Sequence, residues 1–244
     1  MKSYGEFCAL ARALDVIGDR WTMLVVRELL VGPSRYSDLN KALPGIATNL
    51  LAARLRTLEE AGVVASTDAP APVSARVYSL TEWGGQGLQR SLVELARWGG
   101  VPLMSTGAGE DHSRGRWLVF AVMALYPEPD AAQQVTGFPT VTVRIDADGD
   151  SVLLVSGTSG VRASVASAHE PAEVIVEGTS EKVFRTLSGG GGDSHAEIKG
   201  DADAIRRFSM LTSLALTSER GDRLRRELGT ASASRDDLLK YEPC

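Results

Sequence analysis

Apolar side chains recur at helical spacing through the first sixty residues. Leu10, Ala13, Leu14 and Ile17 predict a short helix over Phe7–Ile17, interrupted by Gly18-Asp19. Trp21–Val31 is a second, largely apolar helix, ended by Gly32-Pro33. A third begins near Tyr36, with Ser34 or Arg35 before it, and stops at Leu43-Pro44-Gly45. A fourth covers Ala47–Ala61, with a stripe of Leu51, Leu55 and Leu58, and Gly62 suits a left-handed cap behind it. The pattern then changes to extended runs, Val63–Thr67 and Arg76–Leu80, with Pro70 and Pro72 between them. Thr81-Glu82-Trp83 opens a final helix whose apolar face carries Leu88, Leu92, Leu95 and Trp98.

Compact helices followed by a two-stranded hairpin are the outline of a winged helix-turn-helix. Gly99-Gly100-Val101-Pro102 and the small, polar stretch after it predict a helix break and a linker over 101–114. Beyond the linker, residues 115–127 form a strongly apolar helix. Val141–Ile145 and Val152–Val155 are strands joined by a turn at Asp146-Ala147-Asp148-Gly149-Asp150. Strands over Arg162–Ser167 and Ala172–Glu177 follow, then a helix capped by Thr179 and running through Leu187. Ser188-Gly189-Gly190-Gly191-Gly192 reads as a mobile loop, Ala196–Lys199 as a strand, and Asp201 as the cap of a helix to about Thr212. Arg223–Leu228 is a candidate last helix and 231–244 a loose tail. The expected fold class is α+β in two units: 1–100, a linker over 101–114, then 115–230.

Composition narrows the field. The chain has 244 residues, 43% hydrophobic and 23% charged, which suits globular domains with real cores. Two cysteines, Cys8 and Cys244, exclude a disulfide framework, and His112, His169 and His195 have no ligand spacing, so no metal or cofactor is expected. A signal pattern and a membrane span are both absent from the reading, which predicts a cytoplasmic protein with no membrane partner. The first hundred residues carry 11 Lys or Arg against 10 Asp or Glu; the remaining 144 carry 15 against 21. Charge alone therefore does not imply nucleic acid, and the case rests on pattern.

The fourth helix supplies it. Leu43-Pro44-Gly45-Ile46 makes a rigid bend from which the first turns of the helix project, with free backbone N–H groups suited to phosphate. Its exposed side carries Thr48, Asn49, Ala52 and Arg56, with Arg54 at the margin. Asn pairs with adenine, Thr packs on a thymine methyl, and Arg grips guanine or phosphate. Arg35 and the wing's Arg76 are candidate backbone contacts. The competing reading is an ordinary solvated amphipathic helix.

Residues 8–99 resemble the HxlR-type winged helix-turn-helix regulators. The matching stretches are Cys8, Leu14–Trp21 (LDVIGDRW), Leu29–Leu39 (LLVGPSRYSDL), Leu43–Ile46 (LPGI), Leu51–Val64 (LAARLRTLEEAGVV), Tyr78–Gly84 (YSLTEWG) and Trp98-Gly99. The resemblance implies a homodimeric transcription factor that inserts its fourth helix into the major groove of double-stranded DNA. The first and last helices of the domain would make the dimer contact. Ala47, Thr48 and Asn49 stand where the family commonly has Ser, Gln and Lys, Ala52 stands where Thr or Ser is usual, and residues 63–75 contain no Lys or Arg. The resemblance also makes Cys8 a candidate redox sensor, its thiol tuned by a cation such as Arg12. The alternative is a buried, inert cysteine.

Ala172–Phe208 resembles the sterol-carrier-protein-like domain, through AEVIV (172–176), the helix ending Leu187-Ser188-Gly189, and AEIKGD (196–201). That implies an open sheet with a hydrophobic tunnel able to hold a small-molecule effector; a rigid dimerisation or scaffold module is the alternative. Nothing points to an enzyme. His169 and His195 have only chance acidic neighbours, Gly189–Gly192 lacks the Lys-Ser/Thr ending of a phosphate loop, and the acidic turn at 146–150 lacks a calcium loop's twelfth-position glutamate. The sequence thus predicts a DNA-binding transcriptional regulator, a repressor in function, with an effector-binding C-terminal unit. A hydrophobic-ligand carrier or scaffold without DNA is the other reading.

Overall fold

The computed structural model describes residues 3–68, 75–106, 111–126, 138–158, 160–188 and 195–217. The Gly189–Gly192 loop, the Pro70/Pro72 loop, the candidate helix at Arg223–Leu228 and the tail all lie outside these residues. The chain divides into two compact units, Met1–Leu92 and Val93–Cys244.

In the first unit the order is α1 (Ala9–Ile17), α2 (Thr22–Val31), β1 (Ser34–Arg35), α3 (Tyr36–Ala42), α4 (Thr48–Glu60), β2 (Val64–Asp68), β3 (Arg76–Leu80) and the start of α5 (Glu82–Thr106). The leucine stripe of α4 explains its seat. Leu51, Leu55 and Leu58 are each at most 1% exposed and pack with Val25, Val26, Leu39 and Leu43 into one core. Burying a leucine of this kind is worth roughly 1.5–3 kcal/mol. The helix ends as the sequence predicts. Gly62 takes φ +70°, its N–H reaches the Glu59 carbonyl, and the Val63 N–H reaches the Leu58 carbonyl, both at 2.9 Å. Those two bonds make a Schellman ending, which needs a left-handed residue at Gly62.

The wing has three strands, ordered β1-β3-β2 and all antiparallel, where the sequence predicts two. A two-residue strand has no periodicity to read, and its partners Val77 and Tyr78 lie some forty residues away. Two further expectations are corrected in α5. It stays helical through Gly99-Gly100-Val101-Pro102 to Thr106. Each glycine costs only about 1 kcal/mol against alanine, which a long helix absorbs. Among its described side chains the buried hydrophobic ones are Leu92 and Val93, while Leu95 and Trp98 are 52% and 80% exposed.

Among the described residues the second unit contains a 3-10 turn (Gly115–Trp117), α6 (Leu118–Leu125), β4 (Val141–Ala147), β5 (Asp150–Gly157), β6 (Gly160–Ala166), β7 (Val174–Gly178), α7 (Ser180–Leu187), β8 (Glu197–Gly200) and α8 (Ala202–Thr217). The five strands lie in the order β6-β5-β4-β7-β8. Neighbours are antiparallel except β4 and β7, which run parallel. The turn between β4 and β5 is tighter than the sequence suggests. Ala147 pairs with Asp150, leaving only Asp148 (φ +49°) and Gly149 (φ +82°) to turn the chain. Two successive positive φ values match the right-handed twist of a hairpin. Thr179 accepts from the Lys182 N–H at 3.3 Å and Asp201 from the Asp203 and Ala204 N–H groups at 2.9 Å, so both predicted caps form. One sheet face, with Val143, Ile145, Leu154 and Val176, packs against Val122, Val183, Leu187 and Phe208 in a continuous core.

Candidate nucleic-acid interface

Helices α3 and α4 are joined by Leu43-Pro44-Gly45-Ile46. Gly45 takes φ +90°, a conformation that favours glycine, while Leu43 and Ile46 turn inward. A side chain at Gly45 would meet the ring of Trp21 at 3.9 Å, so Trp21 lies beside this bend. Trp21 itself holds a left-handed φ of +78°, and the Arg20 guanidinium lies 5.7 Å from its ring centroid. A bulky residue in that conformation is strained by about 1–3 kcal/mol and persists only where its surroundings fix it. From the other side, the Tyr36 hydroxyl donates to the Thr48 carbonyl at 2.6 Å. Tyr36, Trp21 and Asp19 are the residues that sequence reasoning missed. All three act through a fixed spatial neighbour; Asp19 and Trp21 lie in the LDVIGDRW stretch and Tyr36 in LLVGPSRYSDL, but neither stretch by itself shows those neighbours.

With its leucines anchored, α4 turns Thr48, Asn49 and Arg56 to solvent, and Ala52 is half-buried between them. The helix N-terminus lacks a side-chain cap, because Ala47 occupies that position. Arg35 is exposed on β1 and Arg76 is exposed at the start of β3, paired in register with Asp68 of β2. Five of the seven predicted side chains therefore face water. Arg54 does not join them fully. Its guanidinium pairs with Asp19 in the α1–α2 turn at 2.5 Å, and its side chain is 19% exposed. Arg54, Thr57 and Glu60 line a cleft of about 510 Å³ together with Asp15 and Ser3, which places that side of α4 toward α1.

Cys8 is exposed immediately before α1, not buried. Arg12, one turn on, directs its Nη1 to Ser3 Oγ at 3.3 Å and to Asp15 Oδ2 at 3.6 Å. The Tyr4 backbone N–H and the Ser3 hydroxyl hold the Asp15 carboxyl below the usual carboxylate range. His112, His169 and His195 are exposed. Among the described residues there is no His/Cys/Asp/Glu cluster able to hold a metal, and no helix long and apolar enough to cross a membrane.

Residues 16–106 match the HxlR-like helix-turn-helix family. The HTH-type transcriptional regulator YvaP of Bacillus subtilis is 37% identical over 94 residues, covering 38% of this chain and 86% of that protein. A regulator of the same type from Synechocystis is 36% identical over 96 residues, covering 39% of this chain and 70% of its own. The solved reduced form of the regulator YodB from B. subtilis is 31% identical, covers 38% of this chain and 91% of that one, and superposes with a TM-score of 0.35. With its leucine-anchored α4 beside a wing, this chain belongs to the HxlR-like helix-turn-helix family of DNA-binding transcriptional regulators.

Proposed function

We propose that the protein is a sequence-specific repressor, acting as a homodimer on a near-palindromic site and controlled by a hydrophobic small molecule bound in the second unit. The observation that carries the reading is the outward face of α4. Thr48, Asn49 and Arg56 project from a helix whose opposite face is fixed by fully buried leucines. In this reading Asn49 and Arg56 contact base edges, Thr48 and Ala52 pack against thymine methyls, and Arg35 and Arg76 meet phosphates. Arg54 contributes by holding α4 through Asp19.

Apolar side chains that a partner copy would cover support the dimer. Leu10 and Leu14 of α1 are exposed, as are Leu95 and Trp98 of α5. Two copies would present their reading helices to major grooves about 34–36 Å apart. An effector that binds one spacing better than another shifts the population and hence occupancy of the operator. An unpartnered polar group in the apolar core of the second unit supports an effector site of the sterol-carrier type. Tyr126 is 1% exposed there, and its hydroxyl has no hydrogen-bond partner among the described residues. Burial pushes its phenol up, so it stays a neutral donor available to a ligand acceptor. Cys8, exposed and next to Arg12, is proposed as an oxidant-sensitive thiol in the same regulator.

Anisotropy titration of the full chain against fragments of its own promoter tests the reading. Asn49→Ala with Arg56→Ala is expected to lower affinity at least about 30-fold, from about 1–3 kcal/mol for each lost base contact. Unchanged affinity would favour a carrier or scaffold without DNA. Mass spectrometry of material extracted from the purified protein tests the effector.

A further inference from the structure

We infer that the second unit carries a self-pairing sheet edge, and that strand β6 of one copy joins β6 of a second copy antiparallel, with Ala163 opposite Ala163. The alternation of the ladder determines which backbone groups are free. Asp148-Gly149 is a two-residue turn, so Ala147 and Asp150 exchange both bonds, and the even-numbered residues of β5 face β4. The phase has an independent check on the other side of β4. Thr142 turns its carbonyl and its N–H to Glu173, away from β5, at 2.9 Å each. The odd-numbered residues of β5 therefore face β6, where they bond Gly160, Arg162, Ser164 and Ala166. Val161, Ala163 and Val165 are left with their N–H and C=O groups directed off the edge of the sheet.

A two-fold axis at Ala163 satisfies all of these at once. Ala163 exchanges two bonds with its copy, Val161 exchanges two with the second Val165, and Val165 two with the second Val161. The side chains agree with this register. Val161 and Val165 lie on the helix-covered face, opposite each other's copy, and Val165 is 40% exposed in the single chain. Arg162 falls opposite Ser164, so no like charges stand directly opposite; the two Arg162 residues are diagonal neighbours, whose long side chains splay apart into solvent. The strand is seven residues long and lacks proline, lysine or an acidic side chain that would guard an edge. The other edge is guarded: β8 has four residues, and its Lys199 and Glu197 pair with each other at 3.6 Å. The occupant that β6 fits is a second copy of this chain, and the pairing does not depend on the DNA-binding reading.

Arg162 and Ser164 of facing copies form a non-hydrogen-bonded pair, whose Cα atoms approach to about 4.5 Å, within disulfide reach. The test is the full chain with Arg162→Cys and Ser164→Cys, on a background of Cys8→Ser and Cys244→Ser, oxidised with oxidised glutathione. Non-reducing electrophoresis is expected to show at least a tenfold excess of covalent dimer over the Arg162→Cys single variant. Peptide mapping should join position 162 of one copy to position 164 of the other. Adding Val165→Lys should reduce that dimer at least fivefold while leaving the circular dichroism spectrum unchanged. The proposal is overturned if both thiols stay titratable and no covalent dimer forms. It is equally overturned if they are shielded without cross-linking, as another segment of the same chain over the edge would make them, or if the single variant cross-links as well as the double.

Discussion

The Tyr36 hydroxyl, on the first residue of α3, donates to the carbonyl of Thr48, the first residue of α4, at 2.6 Å. This bond ties together the starts of the two helices whose mutual angle sets where α4 presents Thr48 and Asn49. A hydrogen bond of this kind nets about 0.5–1.5 kcal/mol, and partial exposure favours the lower end. Tyr36→Phe is therefore expected to shift the urea midpoint only slightly. It should weaken DNA binding roughly three- to tenfold, because about 1 kcal/mol of positioning is lost at the helix proposed to read DNA. Paired denaturation and anisotropy titrations check both values.

Arg54 and Arg56 sit two residues apart on one helix but are expected to behave differently. Arg54 is committed to Asp19 and largely buried, whereas Arg56 is exposed. Arg56→Ala should lower affinity for the operator by about 1–3 kcal/mol and relax base preference at one position, read by anisotropy titration against single-base operator variants. Arg54→Met should lower affinity evenly across those variants, leaving the base preference unchanged. With Asp19→Asn it should be non-additive in stability, by up to about 1 kcal/mol because Asp19 is more than half exposed.

Gly84 fills a place that admits no side chain. Thr81 Oγ1 donates to the Gly62 carbonyl at 2.8 Å and accepts from the Gly84 N–H at 3.0 Å, drawing the start of α5 onto the end of α4. A Cβ at Gly84 would lie 2.3 Å from the Val63 carbonyl oxygen. Although alanine is the better helix former, Gly84→Ala is expected to destabilise by about 1–3 kcal/mol through overpacking. Thermal denaturation gives the sign directly: a rise in Tm would contradict this packing.

Glu173 couples the second unit to pH. The Thr142 backbone N–H donates to it at 2.9 Å and Arg207 at 2.8 Å, and together they hold its carboxyl below the usual range. A group depressed in the folded state adds stability above its unfolded value of about 4.3, and that stability disappears as pH falls through the folded value. Glu173→Gln should thus be less stable than the parent at pH 7, and the gap should close toward pH 2. Urea titrations at a series of pH values measure the gap.

The order of helices in the first unit, the leucine stripe of α4, the Gly62 ending, and the caps at Thr179 and Asp201 were all legible in the residues. Each depends on contacts within a few positions, so local periodicity and backbone preference suffice to specify it. The exposed face of α4 followed as well: once Leu51, Leu55 and Leu58 are inside, Thr48, Asn49 and Arg56 have only solvent to face.

Tertiary structure decided what depends on residues far apart in the chain. The strand at Ser34–Arg35 exists because Val77 and Tyr78 arrive beside it. Arg54 became a strut because Asp19 lies across from it, although its helical position alone put it at the margin of the reading face. Cys8 turned out exposed because no distant element packs over it among the described residues, and α5 continued through Gly99-Gly100 because the length of the helix outweighs single-residue propensities of about 1 kcal/mol. The free edge of β6 has the same origin. Alternating residues mark it as a strand, but only the order of strands in the sheet leaves Val161, Ala163 and Val165 without a paired strand on that side among the described residues.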